Sequence, residues 1–385
     1  MSDQNFAPGL EGIIAADTKV SYLDVEHEEI IIKGYDLIEL AQKLSYPDVA
    51  YLLIHGIIPT KDKARDFCNK LSQNGELSID LEKLLGLFPK SMNLMDALRT
   101  GISFIASQED PDLLSNTSPD ANTEMGIRIL AKAPSIAANA YHALNGSKFV
   151  HPDSNMGYSE NFLYMIQGKR PDGISKEVFD RILTCYIEHE MPNSTFAARV
   201  IVSTLSDIYG AIVGAVASLK GPLHGGANEA AVNTILEIYE QGGVAGAEKV
   251  ILEKLSKKER IMGFGHRVYM RKYDPRAFLL KDYIPKLIDR LPEGKDLYSI
   301  YLTIEKVMLR EKGLYPNMDY PAGMLLYLLQ VPIPLFTPIF LCSRIAGLIA
   351  HVIEQHENNR LYRPRVIYSG LRGLHPAMNK PISPV

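Results

Sequence analysis

The chain has 385 residues, enough for two or three domains at the usual roughly 100–200 residues each. Hydrophobic residues make up 46% and charged residues 22%, a globular balance that excludes extended disorder. The net charge of −4 excludes a broad nucleic-acid footprint, so an anionic ligand must meet locally clustered cations.

The three cysteines, Cys68, Cys185 and Cys342, are widely and irregularly spaced. This spacing is typical of neither a disulfide framework nor a zinc site, so we expect a reducing, cytoplasmic compartment. The N-terminal segment MSDQNFAPGLEG has neither the basic start nor the apolar run of a signal peptide.

The first predicted element is a small β-hairpin, in which VSYLD and IIIKGYD flank the polar stretch VEHEE. Helical periodicity dominates the remainder of the chain. It is clear in Leu37–Leu44, Phe179–Glu188 and Ala230–Tyr239, which are separated by Pro, Gly, Asn and Asp. The sequence therefore predicts an all-α fold with a small N-terminal β-hairpin.

Two apolar stretches are long enough to suggest membrane spans, namely Val200–Leu219 and Val331–Ile353. The first carries Asp207 in its interior, and the second contains three prolines together with Arg344 and His351. Charged and helix-breaking residues are unfavourable in lipid, so both stretches are predicted to be buried segments of a protein with no membrane partner.

The first apolar stretch is interpreted as a helix with one face of small side chains. Ser206, Gly210, Gly214 and Ser218 follow one another at i+4 spacing. Such a face allows another helix to approach closely. Packing within the chain and packing at a subunit interface both remain open.

Changes of composition indicate two domains. A break at Gly221–Pro222 and a proline-rich stretch at Val331–Pro338 enclose a segment richer in Lys, Arg and Glu. We predict a large helical domain from residues 1–222 plus 331–385. Residues 223–330 would form a smaller domain.

The first of three islands of chemistry is GPLHGGANEA, at residues 221–230. The Pro and Gly residues predict a turn, and a helical pattern begins after Asn228. His224 would precede the helix N-terminus, where the helix dipole disfavours a second proton on the ring. A neutral imidazole N–H at this point is a suitable donor to a carbonyl that becomes an enolate.

The second island is IMGFGHRVYMRKYDPRA, in which Gly263 and Gly265 would allow close backbone approach to a ligand. His266 follows, with positive charge supplied by Arg267, Arg271, Lys272 and Arg276. The third glycine of a dinucleotide fingerprint is missing, so a phosphate or carboxylate partner is favoured.

The third island, YPNMDYPAG, holds Asp319 in a loop bounded by prolines and a glycine. Alone, such a residue is most often a turn former or a helix cap. Its occurrence together with His224 and His266, each in a loop shaped by Gly or Pro, raises the case for a catalytic role. Each histidine alone could be a hydrogen-bonded buried polar group.

A basic segment follows near the C-terminus. Arg344 and His351 lie seven residues apart and therefore on one helical face, and three arginines follow around a proline, Arg360, Arg363 and Arg365. Arginine suits carboxylates because its fork donates two parallel hydrogen bonds. The alternative is a basic helix end exposed to solvent.

These islands resemble those of citrate synthases and 2-methylcitrate synthases. The similarity includes GLEGIIAADTKVSYLD, GYDLIELA, EHEMPNSTFAARV, GPLHGGANEA, IMGFGHRVY, YPNMD and EQHENNRLYRPR, in family order and over nearly the whole chain. It implies an all-α, two-domain fold with the active site in the cleft between the domains.

The resemblance also implies a mechanism. Asp319 removes a proton from the carbon α to the acyl-CoA thioester, and His224 donates to the thioester oxygen. His266 polarises the oxaloacetate ketone, and water then hydrolyses the new thioester. No metal or redox cofactor is implied, since the CoA thioester is a substrate.

Further roles follow from the resemblance. Oxaloacetate would be bound by His189, Arg276 and Arg344, with Arg363 contributed by the second subunit of a homodimer. Arg99 would lie near substrate, although this chain has Asn93-Leu94 where the family often has His-Pro. Candidate CoA contacts are Lys257, Lys258, Glu259, Arg260, Ile261, Arg271 and Lys312.

The sequence leaves the acyl group open. Details such as HRVYM and EQHENNRL are most similar to short bacterial 2-methylcitrate synthases, which favours propionyl-CoA over acetyl-CoA with both reacting. A citrate synthase of the tricarboxylic acid cycle is the alternative. Two remoter readings are a metal-dependent hydrolase using His189, His224, His266 and Asp319 as ligands, and an inactive helical binding protein.

Overall fold

The computed structural model describes residues 6–265 and 273–374. A small antiparallel sheet precedes the helices, with strands β1 (Ser21–Asp24), β2 (Glu29–Ile32) and β3 (Tyr35–Asp36) in the order β1-β2-β3. Ser21 pairs with Ile32 and Asp24 with Glu29. The predicted hairpin is therefore confirmed, and a third short strand extends it.

Helices form the rest of the described structure. They are α1 (Leu37–Lys43), α2 (Tyr46–His55), α3 (Lys61–Asn74), α4 (Ile79–Gly86), α5 (Leu94–Ala106), α6 (Pro111–Leu114), α7 (Pro119–Leu144), α8 (Tyr158–Gln167), α9 (Gly173–Tyr186), α10 (Asn193–Val202), α11 (Ile208–Leu219), α12 (Ala227–Ser256), α13 (Pro275–Lys281), α14 (Gly294–Lys312), α15 (Asp319–Leu328) and α16 (Phe336–Glu357). Short 3-10 helices cover Pro8–Leu10, Ile284–Lys286, Ile288–Arg290 and Ile333–Leu335. The all-α prediction is confirmed.

Local sequence explains where many helices begin. Side-chain oxygens of Asp36, Thr60 and Ser118 accept hydrogen bonds from backbone N–H groups in the first turns of α1, α3 and α7. Asn93 caps α5 in the same way, so the position where the family often has His-Pro begins a helix here. These caps satisfy N–H groups that have no partner within the helix.

The core surrounds α16, which is buried along nearly its whole length and packs against α7, α10, α2 and α9. A helix that is apolar on all sides belongs in a protein core or a membrane. The stretch Ile333–Glu357 is long and apolar enough to cross a membrane, but 89% of its most apolar 18-residue window is buried inside the protein. It is therefore a core helix, as the sequence predicted.

The single helix predicted over Val200–Leu219 is wrong. α10 ends at Val202, and α11 starts at Ile208 because Asp207 caps it by accepting from the Gly210 N–H at 2.8 Å. The interior aspartate was the signal for this break. It marks a helix start within an otherwise continuous apolar run.

The small-residue face of α11 packs within the chain. A Cβ at Gly214 would lie 2.1 Å from Cδ1 of Ile201 on α10. Ser218 Oγ donates to Asn193 Oδ1 at 2.6 Å, also on α10. Of the two alternatives left open, these contacts support internal packing of α11 against α10.

The helices that carry the predicted small domain pack on one another. α12 contacts both α14 and α15, and α13 contacts α15. α15 also contacts α9, and α12 contacts α16, so this group touches the core helices directly. The division into residues 1–222 plus 331–385 and 223–330 stays a prediction.

Candidate active site

Asp319 is the first residue of α15, and the preceding loop fixes its backbone. Its N–H donates to Asn317 Oδ1 at 3.0 Å. The Asn317 side chain donates in turn to the Gly265 carbonyl at 2.9 Å, and its N–H donates to the Gly263 carbonyl at 2.9 Å. The described part of the second island and the third island therefore form one hydrogen-bonded unit.

The two glycines of this unit have left-handed backbones, with φ of 86° at Gly263 and 73° at Gly265. A Cβ at Gly263 would lie 3.0 Å from Tyr320, so the glycine permits contact with α15. The sequence predicted that this close approach would serve a ligand. Within the described residues, the neighbour at Gly263 is the protein itself.

The Asp319 carboxyl group is held by a phenol. Tyr186, the last residue of α9, donates from its hydroxyl to Asp319 Oδ1 at 2.8 Å. Burial raises the pKa of Asp319, because the charged form loses hydration, while Tyr186, Arg276 and Arg344 act in the opposite direction. Burial prevails, so this carboxylate is a stronger base than an ordinary surface aspartate.

Tyr186 is fixed from three sides. Its ring stacks on Phe340 with centroids 4.4 Å apart, and the Arg344 guanidinium carbon lies 4.9 Å from the centroid of the same phenylalanine. Arg344 Nε donates to the Tyr186 carbonyl at 2.8 Å, and Asn228 Nδ2 donates to the Tyr186 hydroxyl at 3.3 Å. The phenol thus reaches Asp319 from a rigid setting.

His224 lies in the turn just before α12, as predicted. Its Nε2 accepts from the Ser194 N–H at 3.3 Å and lies 2.9 Å from Ser194 Oγ. A backbone N–H can only donate, so Nε2 is the acceptor and the proton of a neutral ring lies on Nδ1. The Nδ1–H group is therefore the donor this imidazole can offer.

The pKa of His224 is lowered to about 4, first by burial and second by the nearby positive charge of Arg344. This direction agrees with the neutral imidazole that the sequence predicts. The largest cause of the lowered pKa is desolvation by burial.

Arg276 is buried and forms a bidentate pair with Asp274. Its Nε lies 3.0 Å from Asp274 Oδ1 and one terminal nitrogen lies 2.8 Å from Oδ2. Asp274 Oδ2 also accepts from the Met318 N–H at 3.2 Å, next to Asp319. One buried carboxylate therefore ties the arginine to the loop that carries the aspartate.

Arg344 and His189 are also buried, and Arg344 carries a second positive charge close to Arg276. Arg344 is 2% exposed, and burial lowers its pKa to about 10 despite the opposing negative charge of Glu188. The positive charge of Arg276 also lowers the pKa of Arg344. Two buried arginines close enough to affect each other's charge form a setting suited to a dicarboxylate.

Several predicted residues lie elsewhere. Arg363 is exposed in the extended segment after α16 and donates to the Pro364 carbonyl at 3.4 Å. Arg99 pairs with Asp96, which also binds Lys220. Within this described chain, neither contact joins the group around Asp319.

The candidate CoA contacts mostly lie at the end of α12 and on the surface that follows. Four of them are exposed at the end of the helix and a fifth at the end of α14, namely Lys257, Lys258, Glu259, Arg260 and Lys312. Ile261 is 6% exposed and belongs to the hydrophobic core, so its side chain is not available on the surface. His266 and Arg271 lie outside the described residues.

Sequence reasoning missed Tyr186, Ser194 and Asn228. Tyr186 stands three residues before His189, and Ser194 and Asn228 lie inside two of the motifs that carry the resemblance. Position within these motifs was therefore an available signal. No local pattern could show that a phenol would reach an aspartate 133 positions later.

Three of the four ligands of the metal-site alternative lie within the described residues. Among the residues that the structure describes, the one group with metal-ligand spacing is Glu76, Glu82 and His151, at least partly exposed. It includes none of the three proposed ligands that are described, His189, His224 and Asp319.

The buried Asp319 and His224 both lie within electrostatic reach of Arg344, so the described side chains of the first and third islands share one charged environment. Residues 9–365 match the family described as "Citrate synthase, C-terminal domain". The chain belongs to the citrate synthase family and is a condensing transferase.

Known proteins similar to this chain include citrate synthases. The chain is 49% identical to citrate synthase of Heyndrickxia coagulans, over 97% of this chain and 99% of the relative. It is 48% identical to citrate/2-methylcitrate synthase of Bacillus subtilis, over 96% and 98%. The fold is also similar to that of the citrate synthase of Thermoplasma acidophilum, solved in a ternary complex with carboxymethyl coenzyme A and oxaloacetate. The TM-score is 0.89 at 30% sequence identity, covering 97% of this chain and 98% of that chain.

Proposed function

We propose that this enzyme condenses oxaloacetate with a short acyl-CoA, preferring propionyl-CoA and also accepting acetyl-CoA. The products would be 2-methylcitrate or citrate, and free CoA. The observation that carries the proposal is the convergence of Asp319 with the neutral His224 ring and the cations Arg276 and Arg344. A base, an enolate donor and a dicarboxylate site then serve one reaction.

In the first step, Asp319 takes a proton from the acyl α-carbon. That carbon is a far weaker acid than a carboxylic acid of pKa about 4, so the charge must be stabilised as it forms. The Nδ1–H of His224 would donate to the thioester oxygen and hold the resulting enol. Burial of Asp319 helps because it raises the proton affinity of the carboxylate.

In the second step, the enol carbon attacks the ketone carbon of oxaloacetate, forming the carbon–carbon bond. His266, assigned by resemblance, would polarise the ketone and give a proton to the new alkoxide. Water then cleaves the thioester carbon–sulfur bond and releases the CoA thiol. The chemistry requires no metal or redox cofactor.

Oxaloacetate would lie against His189, Arg276 and Arg344, where the guanidinium groups can bind its two carboxylates. We further propose a homodimer in which Arg363 of one subunit enters the site of the other. The exposed position of Arg363 after α16 is compatible with contact to a second chain. Arg99 remains a proposed substrate contact. The proposed CoA contacts are Lys257, Lys258, Glu259, Arg260, Ile261, Arg271 and Lys312.

The acyl preference rests on the likeness to the Bacillus subtilis citrate/2-methylcitrate synthase and on the motifs described above. One methylene group in an apolar pocket contributes only about 1–3 kcal/mol of discrimination, so both substrates should react. A place in propionate metabolism and in the cytoplasm would follow. The tricarboxylic acid cycle enzyme is the alternative.

A thiol-release assay tests the proposal. Purified enzyme is mixed with oxaloacetate and either acyl-CoA, before and after exhaustive chelation. We expect CoA release that requires oxaloacetate, survives chelation and has the higher kcat/KM with propionyl-CoA. A higher kcat/KM with acetyl-CoA would favour the tricarboxylic acid cycle enzyme. Loss of CoA release after chelation would favour the metal-dependent hydrolase, and no CoA release at all would favour an inactive binding protein.

A further inference from the structure

Strand β1 is attached to both sides of His189. The hydroxyl of Ser21 donates to Glu188 Oε1 at 3.0 Å, just before the histidine. The Ser21 hydroxyl oxygen also accepts from the N–H of Glu190, the residue just after His189, at 3.0 Å. One hydroxyl group thus bridges the two neighbours of a single residue, across 168 positions of sequence from residue 21 to residue 189.

The backbone after His189 is strained. Glu190 has a φ of 62°, in the left-handed region that residues other than glycine rarely adopt. Its N–H is held by Ser21, and its carboxylate accepts from the Leu23 N–H at 3.3 Å. Strained backbone persists where the surroundings determine it, and here β1 supplies both contacts.

Helix α16 holds the other side of this segment. The fully buried Glu188 carboxylate lies 3.2 Å from Nε2 of the fully buried His351. A Cβ at Gly347 would lie 2.0 Å from Glu188 Oε2 and 2.7 Å from the Ile187 carbonyl. Glycine at this position therefore allows the segment to lie directly on the helix.

Charge links this network to the arginine of the site. Arg344, His351 and Gly347 lie on one face of α16, and the negative charge of Glu188 favours the charged form of Arg344. The positive charge of Arg344 likewise helps to keep Glu188 ionised, against the effect of burial. Glu188 therefore stabilises the cation that would meet a substrate carboxylate.

We propose that Ser21, Glu188 and His351 are positioning residues for oxaloacetate binding, and that the N-terminal hairpin is a working part of that site. The network fixes the His189 backbone on both sides and stabilises the charge of Arg344. This inference rests on the proposed roles of His189 and Arg344. The residues act through these two and do not touch the substrate themselves.

The chain offers a matched control. Thr18, just before β1, donates to Glu354 Oε2 at 2.8 Å, and Glu354 lies one turn beyond His351 on α16. This contact also joins the hairpin region to α16, but Glu354 pairs with Arg199 rather than with the segment around His189. Ser21→Ala and Thr18→Ala therefore each remove one hydroxyl that anchors the same region.

The test compares these two variants and Glu188→Gln with the wild type. We expect Ser21→Ala and Glu188→Gln to raise the KM and the Kd for oxaloacetate about tenfold, the effect of losing a hydrogen bond to a charged group. The KM for propionyl-CoA and kcat should change less than about twofold, since these groups lie outside the acyl-CoA step. Thr18→Ala should match the wild type in every constant.

Two results would overturn the inference. The first is that oxaloacetate affinity is unchanged in both Ser21→Ala and Glu188→Gln. The second is that Ser21→Ala and Thr18→Ala have equal effects on all constants. Arg344→Ala separates this failure from that of the proposed site. If Arg344→Ala abolishes oxaloacetate binding while Ser21→Ala has no effect, only the positioning role is wrong. If the Arg344→Ala variant binds oxaloacetate normally, both the proposed oxaloacetate site and the positioning role fail.

Discussion

The hydroxyl of Tyr186 donates a 2.8 Å hydrogen bond to Oδ1 of Asp319, while the carbonyl of the same tyrosine accepts from Arg344. One residue thus joins the carboxylate proposed as base to an arginine proposed to bind the other substrate. A ligand that fixes the position of Arg344 would therefore also affect, through Tyr186, the position of the Asp319 carboxylate.

Tyr186→Phe tests this contact. The hydrogen bond favours the charged carboxylate, so removing it raises the pKa of Asp319 further. A base acts only when deprotonated, so the acidic limb of the pH profile of kcat should move to higher pH. We expect kcat at neutral pH to fall about tenfold, as for loss of one hydrogen bond to a charged group.

Tyr158→Phe is the control, because the Tyr158 hydroxyl donates to the Leu130 carbonyl at 2.9 Å, away from Asp319. Its pH profile should overlay that of the wild type. If Tyr186→Phe also overlays it, the phenol does not tune the base.

The ionisation of His224 provides a second prediction. A pKa of about 4 keeps the ring neutral throughout the range where an ordinary histidine, of pKa about 6.5, gains its proton. Nitrogen-15 NMR of the imidazole should show no titration between about pH 5 and pH 8. A midpoint near pH 6.5 would mean that this histidine is a cation in acidic solution and not a neutral donor.

Gly323→Ala tests the close contact between α15 and α12. Gly323 lies one turn after Asp319 in α15. An added Cβ would lie 2.6 Å from the Asn228 carbonyl on α12, so the two helices must separate. We expect a loss of about 1–3 kcal/mol in the free energy of unfolding and a lower kcat.

Gly246→Ala is the matched control in α12, since nothing lies within 4 Å of the added Cβ. It should raise the free energy of unfolding by up to about 1 kcal/mol through helix propensity and leave kcat unchanged. Equal effects of both substitutions would show that the α12–α15 contact has no special role.

A shared active site predicts complementation between inactive variants. Arg363→Ala and Asp319→Asn homodimers should both have little activity. A mixed dimer would contain one site with neither substitution, so mixing after subunit exchange should restore up to about a quarter of wild-type activity, if subunits pair at random. No recovery in a verified heterodimer would contradict a role for Arg363 across subunits.

The sequence predicted the elements whose signals are local. The hairpin, the helical periodicity and the face shared by Arg344 and His351 all follow from spacing over a few residues. His224 was also placed correctly, because Pro and Gly mark the turn before α12. Its low pKa was predicted for a different reason, since burial depends on elements distant in sequence.

Relationships across the chain could not be predicted in this way. The apolar run over residues 200–219 concealed a break between two helices, and only Asp207 signalled it. Tyr186 lies outside the quoted motifs and Ser21 lies inside one, but their partners are 133 and 167 positions away. Tertiary packing alone gives these two hydroxyl groups their partners.

The most direct test of the account measures proton transfer by Asp319→Asn. Exchange of the acyl-CoA α-protons with deuterium oxide is followed beside calorimetric binding of oxaloacetate. We expect exchange and condensation to be abolished while oxaloacetate binds with nearly wild-type affinity, because Asp319 acts on the other substrate. Exchange at the wild-type rate would show that another group is the base.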